Sequence, residues 1–563
     1  MRRPPFEPPE AFNLADYYLF DRLREGLGDA PALLFGAERH GYAEVAREVE
    51  AFAAHLIGAG VPAEARVSIV LTDTPAFAWA FFAVLRAGAV VTMGNPAAPS
   101  ADLAYLVRYV RARAVVTTPA VAEAIAPALA ETGAHVVLVR DVATGEDVRG
   151  AVERPAALAG AVALADALAD GRSRIARGEA ASRATHRDDP AIWLFTSGST
   201  GRSKAAMHCH RDFAFNTERY ALGTVGYRAG DVTVSVPRLF FGYATGTNLM
   251  FPFRVGATAA LFAERPTPEA LAAAIARHRP TVVTNVPTMM SKLLDHDEAL
   301  AAAGKPRLDL SSVRFHLSAG EALPPALLER FRARFGAEVY DGIGSAEMFH
   351  IYCSNRPGDV RPGSLGRPVE GYEVALLPVD AEAPGAAPVA VGETGVMWVR
   401  GDSVAQGYFL DRPKSWGTFH GHWCRTGDLF RADADGYYWF EGRADDLLKV
   451  GGLWVAPVEV ESCLCEHAAV AQAAVIGAKR EEGLVKPKAF VVVREERRAA
   501  VATDDGRRTL AAELKRHVQD RLSKHKYPRW VVFVDELPRN DRGKIDRQRL
   551  RQLELAGESP AGD

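Results

Sequence analysis

An excess of charge of either sign is missing from this chain. With 67 lysines and arginines against 70 aspartates and glutamates in 563 residues, no net field draws it to nucleic acid or to an anionic membrane surface. Long apolar runs are missing as well. "AWAFFAVLRAGAVV" is broken by Arg86 before it reaches spanning length, and "MRRPPFEPPEAFN" has basic residues with no apolar core behind them. A soluble, cytoplasmic protein with small-molecule partners is expected, without nucleic acid or membrane, as a monomer or homodimer. Cysteine is scarce: of five, only Cys463 and Cys465 lie close together, in "VEVESCLCEHAAV", and no second ligand pair accompanies them. They read as reduced thiols. The "HCH" of His208, Cys209 and His210 likewise has no distant cluster to complete a ligand set and reads as structural. There is no G-x-x-x-x-G-K-[ST] and no G-x-G-x-x-G after a strand, which disfavours an ordinary P-loop nucleotidase and a dinucleotide site. No repeat occurs at solenoid periods.

What is present is length and alternation. A chain of this size is several times one core, so roughly two to four domains are expected, with room for a closed site. From Arg66, "RVSIVL", "PAFAWAFFAVLRAG", "AVVTM", "SADLAYLVRYVRAR" (with Ser100 as N-cap) and "AVVTT" alternate strand and amphipathic helix. That order predicts a parallel sheet covered by helices. The Ala-rich stretch from Ala151 to Ala181 and the following "SRATHRDDP" read as surface helix and linker. Strand signals return at "AIWLFT", "DVTVSV", "GATAALF", "TVVTNV" and "VRFHLS". The expected fold is therefore α/β, with parallel or mixed sheets flanked by helices in a large domain, residues 1–443. After Arg443 the texture changes to "PVEVESCLCEHAAV", "KAFVVVR", "TLAAELKRHVQDRLSKH" and "WVVFV", a small α+β domain over 444–563. The tail "LAGESPAGD" is polar and reads as disordered.

One stretch within the large domain stands out. In "LFTSGSTGRSK", Leu194 to Lys204, an apolar strand runs into small hydroxyl and glycine residues and closes on a lysine. Backbone N–H groups and hydroxyls in such a turn suit phosphate oxygens, and Lys204 adds positive charge.

"TSGSTGRSK" resembles the phosphate loop of the adenylate-forming superfamily of acyl-CoA synthetases, peptide-synthetase adenylation domains and luciferases. Further elements follow in that superfamily's order: "SAGEALP" from Ser318, "GIGSAE" from Gly342, "WCRTGDLF" from Trp423, "FEGRADDLLKVGG" from Phe440 and "LPRNDRGKIDR" from Leu537. "FNLADYYL", "LFFGYATG" from Leu239, "EMFHIYCSN" from Glu347 and "GLVKPKAFVV" narrow the resemblance to the benzoate-CoA ligase family, over about Phe12 to Leu550.

The resemblance implies ATP, Mg²⁺ and coenzyme A as partners of a two-step reaction. A carboxylate attacks the α-phosphorus of ATP, so positive charge and donors must surround the phosphates. Thr196, Ser197, Gly198, Ser199, Thr200, Gly201 and Lys204 would hold the β- and γ-phosphates, and Glu347 the Mg²⁺. Lys544 would reach the α-phosphate and the carboxylate, Asp428 the ribose hydroxyls, and Arg443 ribose and phosphate. Ala319, Gly320 and Glu321, with Asp341, Gly342 and Ile343, would line the adenine side. Asp445, in a hinge at about 444–446, would let the small domain turn between the half-reactions. That turn would bring Lys449, Gly451 and Gly452 to the CoA pantetheine. One departure is Ala346, where relatives commonly carry a threonine hydroxyl; slower adenylation is expected unless Ser345 or a water compensates.

Phe241, Gly242, Tyr243, Ile343, Gly344 and His350 fall where the family lines its aryl pocket, a flat slot that suits a benzene ring. Gly242 stands where alanine is common and would open room for a substituent. His350 would act as a donor or as a cation near the carboxylate or an ortho group. The expected acid is benzoate or a substituted benzoate, with 2-aminobenzoate and hydroxybenzoates as candidates. Alternatives are a stand-alone aryl adenylation enzyme loading a carrier protein, a medium-chain acyl-CoA synthetase, and a weakly catalytic ATP- or CoA-binding sensor. No aspartate stands in "LFFGYATG" to pair an ammonium, which argues against an α-amino acid.

Overall fold

A computed structural model describes residues 6–197, 202–450, 453–479, 485–539 and 545–556. The chain forms two compact units. The larger is built from residues up to 197, 202–374 and 399–425, the smaller from 375–398 and from 426 onward. Among the described residues no helix is long and apolar enough to cross a membrane. All five cysteines are free thiols.

The larger unit holds two sheets. In the first the order is Val162–Ala163, His135–Leu138, Ala114–Thr117, Arg66–Val70, Val90–Met93, Pro190–Ser197 and Ser203–Cys209, parallel except for the last pair. In the second, Glu338–Gly344, Phe315–Ser318, Val282–Asn285, Val232–Ser235, Thr258–Leu261 and Pro31–Phe35 run parallel, with antiparallel strands at both ends. Strands such as Ala114–Thr117 and Val282–Asn285 are buried at every position, the pattern of a sheet covered on both faces.

One helix differs from the sequence expectation. Pro75–Arg86, expected to be amphipathic, is buried at every residue from Pro75 to Leu85, because a helix apolar all round needs a core on every side. Leu164–Ala176 is the surface helix expected, with Asp166, Ala169, Arg172 and Ser173 exposed, and its other face packs against Tyr42–Gly58 so closely that a Cβ at Gly171 would lie 1.7 Å from the carbonyl oxygen of Ala51. A smaller correction concerns Ser100, which is the first helical residue; Pro99 precedes it as the cap.

In the smaller unit Val470–Lys479 and Val485–Val493 are antiparallel, and Trp530–Phe533 runs parallel to the second. Helices Pro457–Cys465 and Asp504–Arg521 supply Val460, Leu464, Leu510 and Leu514 to its core. The antiparallel pair Trp423–Ala432 and Tyr438–Arg443 sets Asp428 opposite Arg443. Of the tail, only Leu555 and Ala556 are described.

Candidate active site

The phosphate-loop stretch begins as a hairpin. Pro190–Ser197 pairs with Ser203–Cys209 in a register that sets Thr196 opposite Lys204 and Ser197 opposite Ser203. Gly198, Ser199, Thr200 and Gly201 lie outside the described residues. Lys204 Nζ is 3.2 Å from Asp411 Oδ2 and 5.8 Å from the centre of the Tyr408 ring. Its ammonium thus lies between a carboxylate and an aromatic face, with most of its stem buried.

The same Tyr408 reaches the second expected charge. Glu347 sits in the short turn Ala346–Met348. Tyr408 Oη donates to Glu347 Oε1 at 2.7 Å, and Ala405 N–H donates to the Glu347 carbonyl at 2.9 Å. Burial and the Glu347 charge both push the Tyr408 phenol up, so it stays protonated and donates. Oε2 of Glu347 makes no hydrogen bond among the described residues. That oxygen, a single hard donor, fits Mg²⁺, which takes one or two carboxylates together with phosphate oxygens. Tyr408 was not found from the sequence; "GYFLDR" carries no charge pattern that marks its tyrosine. Beside Glu347, the Ser345 hydroxyl is buried without a partner among the described residues. Ala346 offers its carbonyl to His208 Nε2 at 2.7 Å, and His208 Nδ1 lies 2.9 Å from Asp212 Oδ2. The "HCH" motif thus meets the Glu347 turn and holds no metal cluster among the described residues.

On the aryl side, Phe241 caps the short helix Gly242–Thr245. His350 Nε2 donates to the Tyr243 carbonyl at 3.0 Å, and the two rings lie 5.3 Å apart at 37°. Gly344 is required: a Cβ there would be 2.5 Å from the His350 backbone. A Cβ at Gly242 would meet Leu194 at 3.3 Å, so glycine leaves that space open. His350 is buried, and burial pushes its imidazole down to about 3. It is neutral at physiological pH, and the cation alternative is set aside. With Nε2 donating, Nδ1 carries a lone pair, and among the described residues neither it nor the buried Tyr243 hydroxyl has a partner.

Asp341 and Ser318 are opposite each other on parallel strands, with Gly342 and Ile343 continuing toward the turn. Burial pushes the Asp341 carboxyl up to about 8, against the opposing pull of Ser318 and the Gly342 N–H. Ala319 is buried and Gly320 exposed; Glu321 Oε2 accepts from Thr288 N and Oγ1 at 3.1 and 2.7 Å, at the start of helix Pro287–Ala302. In the smaller unit Arg443 Nη1 is 2.8 Å from Asp428 Oδ1, and its Nη2 is 3.6 Å from Asp445 Oδ2. Asp428 is 9 % exposed. Lys449 is exposed on Leu448–Val450. Gly451, Gly452 and Lys544 lie outside the described residues.

Residues 20–409 match the AMP-binding enzyme family and residues 459–544 the AMP-binding enzyme C-terminal domain. The benzoate–CoA ligase of Thauera aromatica is 38% identical over 97% of both chains. The 4-hydroxybenzoate–CoA/benzoate–CoA ligase of Rhodopseudomonas palustris is 35% identical over 98% of this chain and 96% of its own. The anthranilate–CoA ligase of Pseudomonas aeruginosa is 35% identical over 87% of each. Among solved structures, an anthranilate CoA ligase in complex with anthranoyl-AMP superposes with a TM-score of 0.83 at 32% identity, covering 98% of this chain and 99% of that one. A benzoate CoA ligase from Burkholderia xenovorans LB400 gives 0.80 at 38%, covering 96% and 100%. With two family matches in the expected order and relatives aligned along nearly their whole length, this chain belongs to the AMP-binding enzyme family, within its benzoate–CoA ligase group of AMP-forming acid–CoA ligases.

Proposed function

We propose that this ligase activates a benzoate bearing a hydroxyl or amino substituent. The carboxylate oxygen forms a bond to the α-phosphorus of ATP as the bond to pyrophosphate breaks. The thiol of CoA then attacks the acyl carbon, and AMP leaves. A bound Mg²⁺ would supply charge neutralisation between phosphates, with Glu347 as its carboxylate. Lys204 offsets phosphate charge at the hairpin, and the Ser345 hydroxyl stands in for the one missing from Ala346. Asp428 and Arg443 hold ribose, and Lys544 meets the α-phosphate. A boundary at about 444–446, with Asp445 as hinge, would exchange Lys544 for Lys449, Gly451 and Gly452 between the half-reactions.

The observation that carries the substrate reading is the pair of unmet polar groups among aromatic rings, His350 Nδ1 and Tyr243 Oη. A buried polar atom without a partner costs about 1–3 kcal/mol. A ring substituent that donates to Nδ1 removes that cost, and bare benzoate leaves it. Relatives named for 4-hydroxybenzoate with benzoate and for anthranilate support a ring substituent, while the one named for benzoate alone supports only the aryl class. The test is a competition: ATP, Mg²⁺, CoA and equal amounts of benzoate, 2-aminobenzoate, hydroxybenzoates and medium-chain acids, read by mass spectrometry. A substituted benzoyl-CoA should dominate. A dominant fatty acyl-CoA would overturn the aryl reading, and acyl-adenylate accumulating without thioester would move the enzyme to carrier loading.

A further inference from the structure

His208 has no catalytic part in the reaction as proposed, yet its bonding is strictly constrained. It lies on Ser203–Cys209 and is 1% exposed. Its Nε2 is 2.7 Å from the Ala346 carbonyl oxygen, which can only accept, so Nε2 carries a hydrogen. Its Nδ1 is 2.9 Å from Asp212 Oδ2, and that contact also needs a hydrogen between the two atoms. The His208–Asp212 pair therefore holds two hydrogens, one for each bond. Cys209 N–H donates to the same Oδ2 at 3.0 Å and fixes where the carboxyl oxygen stands.

The carbonyl that His208 grips belongs to the residue just before Glu347. Immediately after the turn, Phe349 adopts φ 67° and ψ −59°, and His350 N–H donates to the Met348 carbonyl at 2.9 Å. This is a γ-turn of the positive-φ kind, which is rare and strained for a residue with a side chain. A strained link persists only where its surroundings hold it. The His208 bond on the Ala346 carbonyl is the anchor upstream of that link, and the Ala405 and Tyr408 bonds to Glu347 lie between.

We infer that His208 is a positioning residue for Glu347: through its bond to the Ala346 carbonyl it fixes the turn Ala346–Met348 and with it the direction of the Glu347 carboxylate. The inference rests on the reading of Glu347 as the metal-holding carboxylate. It is tested on the full-length protein with His208→Phe, His208→Gln, Asp212→Asn and Glu347→Gln. Three quantities are measured: hydrogen exchange of the Ser345–Phe349 peptide without ligands, the Mg²⁺ dependence of acid-dependent pyrophosphate release, and thioester formation from supplied aryl-adenylate.

His208→Phe should speed exchange at the turn and raise the half-maximal Mg²⁺ concentration on the order of tenfold, as loss of a partner behind a metal ligand does. Thioester formation from the adenylate should stay within about twofold. Glutamine, whose amide N–H can bond the same carbonyl, should recover part of both losses. If the phenylalanine variant does not fold, Asp212→Asn tests the same link. With the Cys209 N–H requiring an oxygen at that place, the amide oxygen accepts from Nδ1, which leaves Nε2 without its hydrogen against the carbonyl. Unchanged exchange at the turn, or equal loss in both half-reactions, overturns the inference. Glu347→Gln with unaltered Mg²⁺ dependence would instead overturn the reading of Glu347.

Discussion

Tyr408 shows how much one hydroxyl can organise: its Oη bonds Glu347 and its ring faces Lys204. A hydrogen bond to a charged group contributes about 1.5–3 kcal/mol. Tyr408→Phe should therefore lower the rate of adenylate formation by roughly tenfold or more, measured as pyrophosphate release, with thioester formation from supplied adenylate little changed. Asp341 makes a prediction of a different kind. The unfolded chain ionises this group at its ordinary value near ~4, whereas the folded chain keeps it protonated up to about 8. The stability it contributes is full below the lower value, falls as pH rises through the window, and is gone above the upper one. Asp341→Asn should have a Tm advantage over wild type that widens from about pH 5 to pH 8; a gap independent of pH would show that the carboxyl titrates normally.

Among the elements, the hairpin of Pro190–Ser197 with Ser203–Cys209 and the strand Glu338–Gly344 end in the loop and the turn that carry the candidate chemistry. Pro190–Ser197 was legible from the apolar run "AIWLFT" ahead of its hydroxyl and glycine residues, whereas Ser203–Cys209 and Glu338–Gly344 were not read as strands, since small residues and glycine dilute the β-branched pattern in both. Contact between distant elements was not legible either. "HCH" on one strand meets Ala346 nearly 140 positions later, and nothing in either stretch announces the other. The helix Leu164–Ala176 was legible as a surface helix from its Ala-rich stretch, but the close seat that Gly171 gives its inner face on Tyr42–Gly58 was not. Gly171→Ala should thus destabilise by about 1–3 kcal/mol or more through overpacking against backbone, seen as a lowered Tm with unchanged KM for ATP. Unaltered Tm would mean that the two helices separate at little cost.

At the scale of the whole molecule, the motif order made the reaction readable from the sequence, because each motif carries a charge or a glycine that the chemistry of phosphates and carboxylates requires. The ring preference was not readable, since in the reading proposed above it rests on which buried polar atoms lack partners, and His350 gives no sign in the sequence that burial keeps it neutral. The alternation account makes its own prediction: Lys544→Ala should abolish adenylate formation and spare thioester formation from supplied adenylate, and equal loss in both would contradict it. The most direct test of the central claim uses 2-aminobenzoate labelled with ¹⁸O in its carboxylate, together with ATP, Mg²⁺ and CoA, with both products weighed by mass spectrometry. The account predicts aminobenzoyl-CoA and an equal amount of AMP carrying one ¹⁸O, since the attacking oxygen leaves with the nucleotide. Label appearing in orthophosphate, or AMP released without label, would contradict attack of the carboxylate on the α-phosphorus.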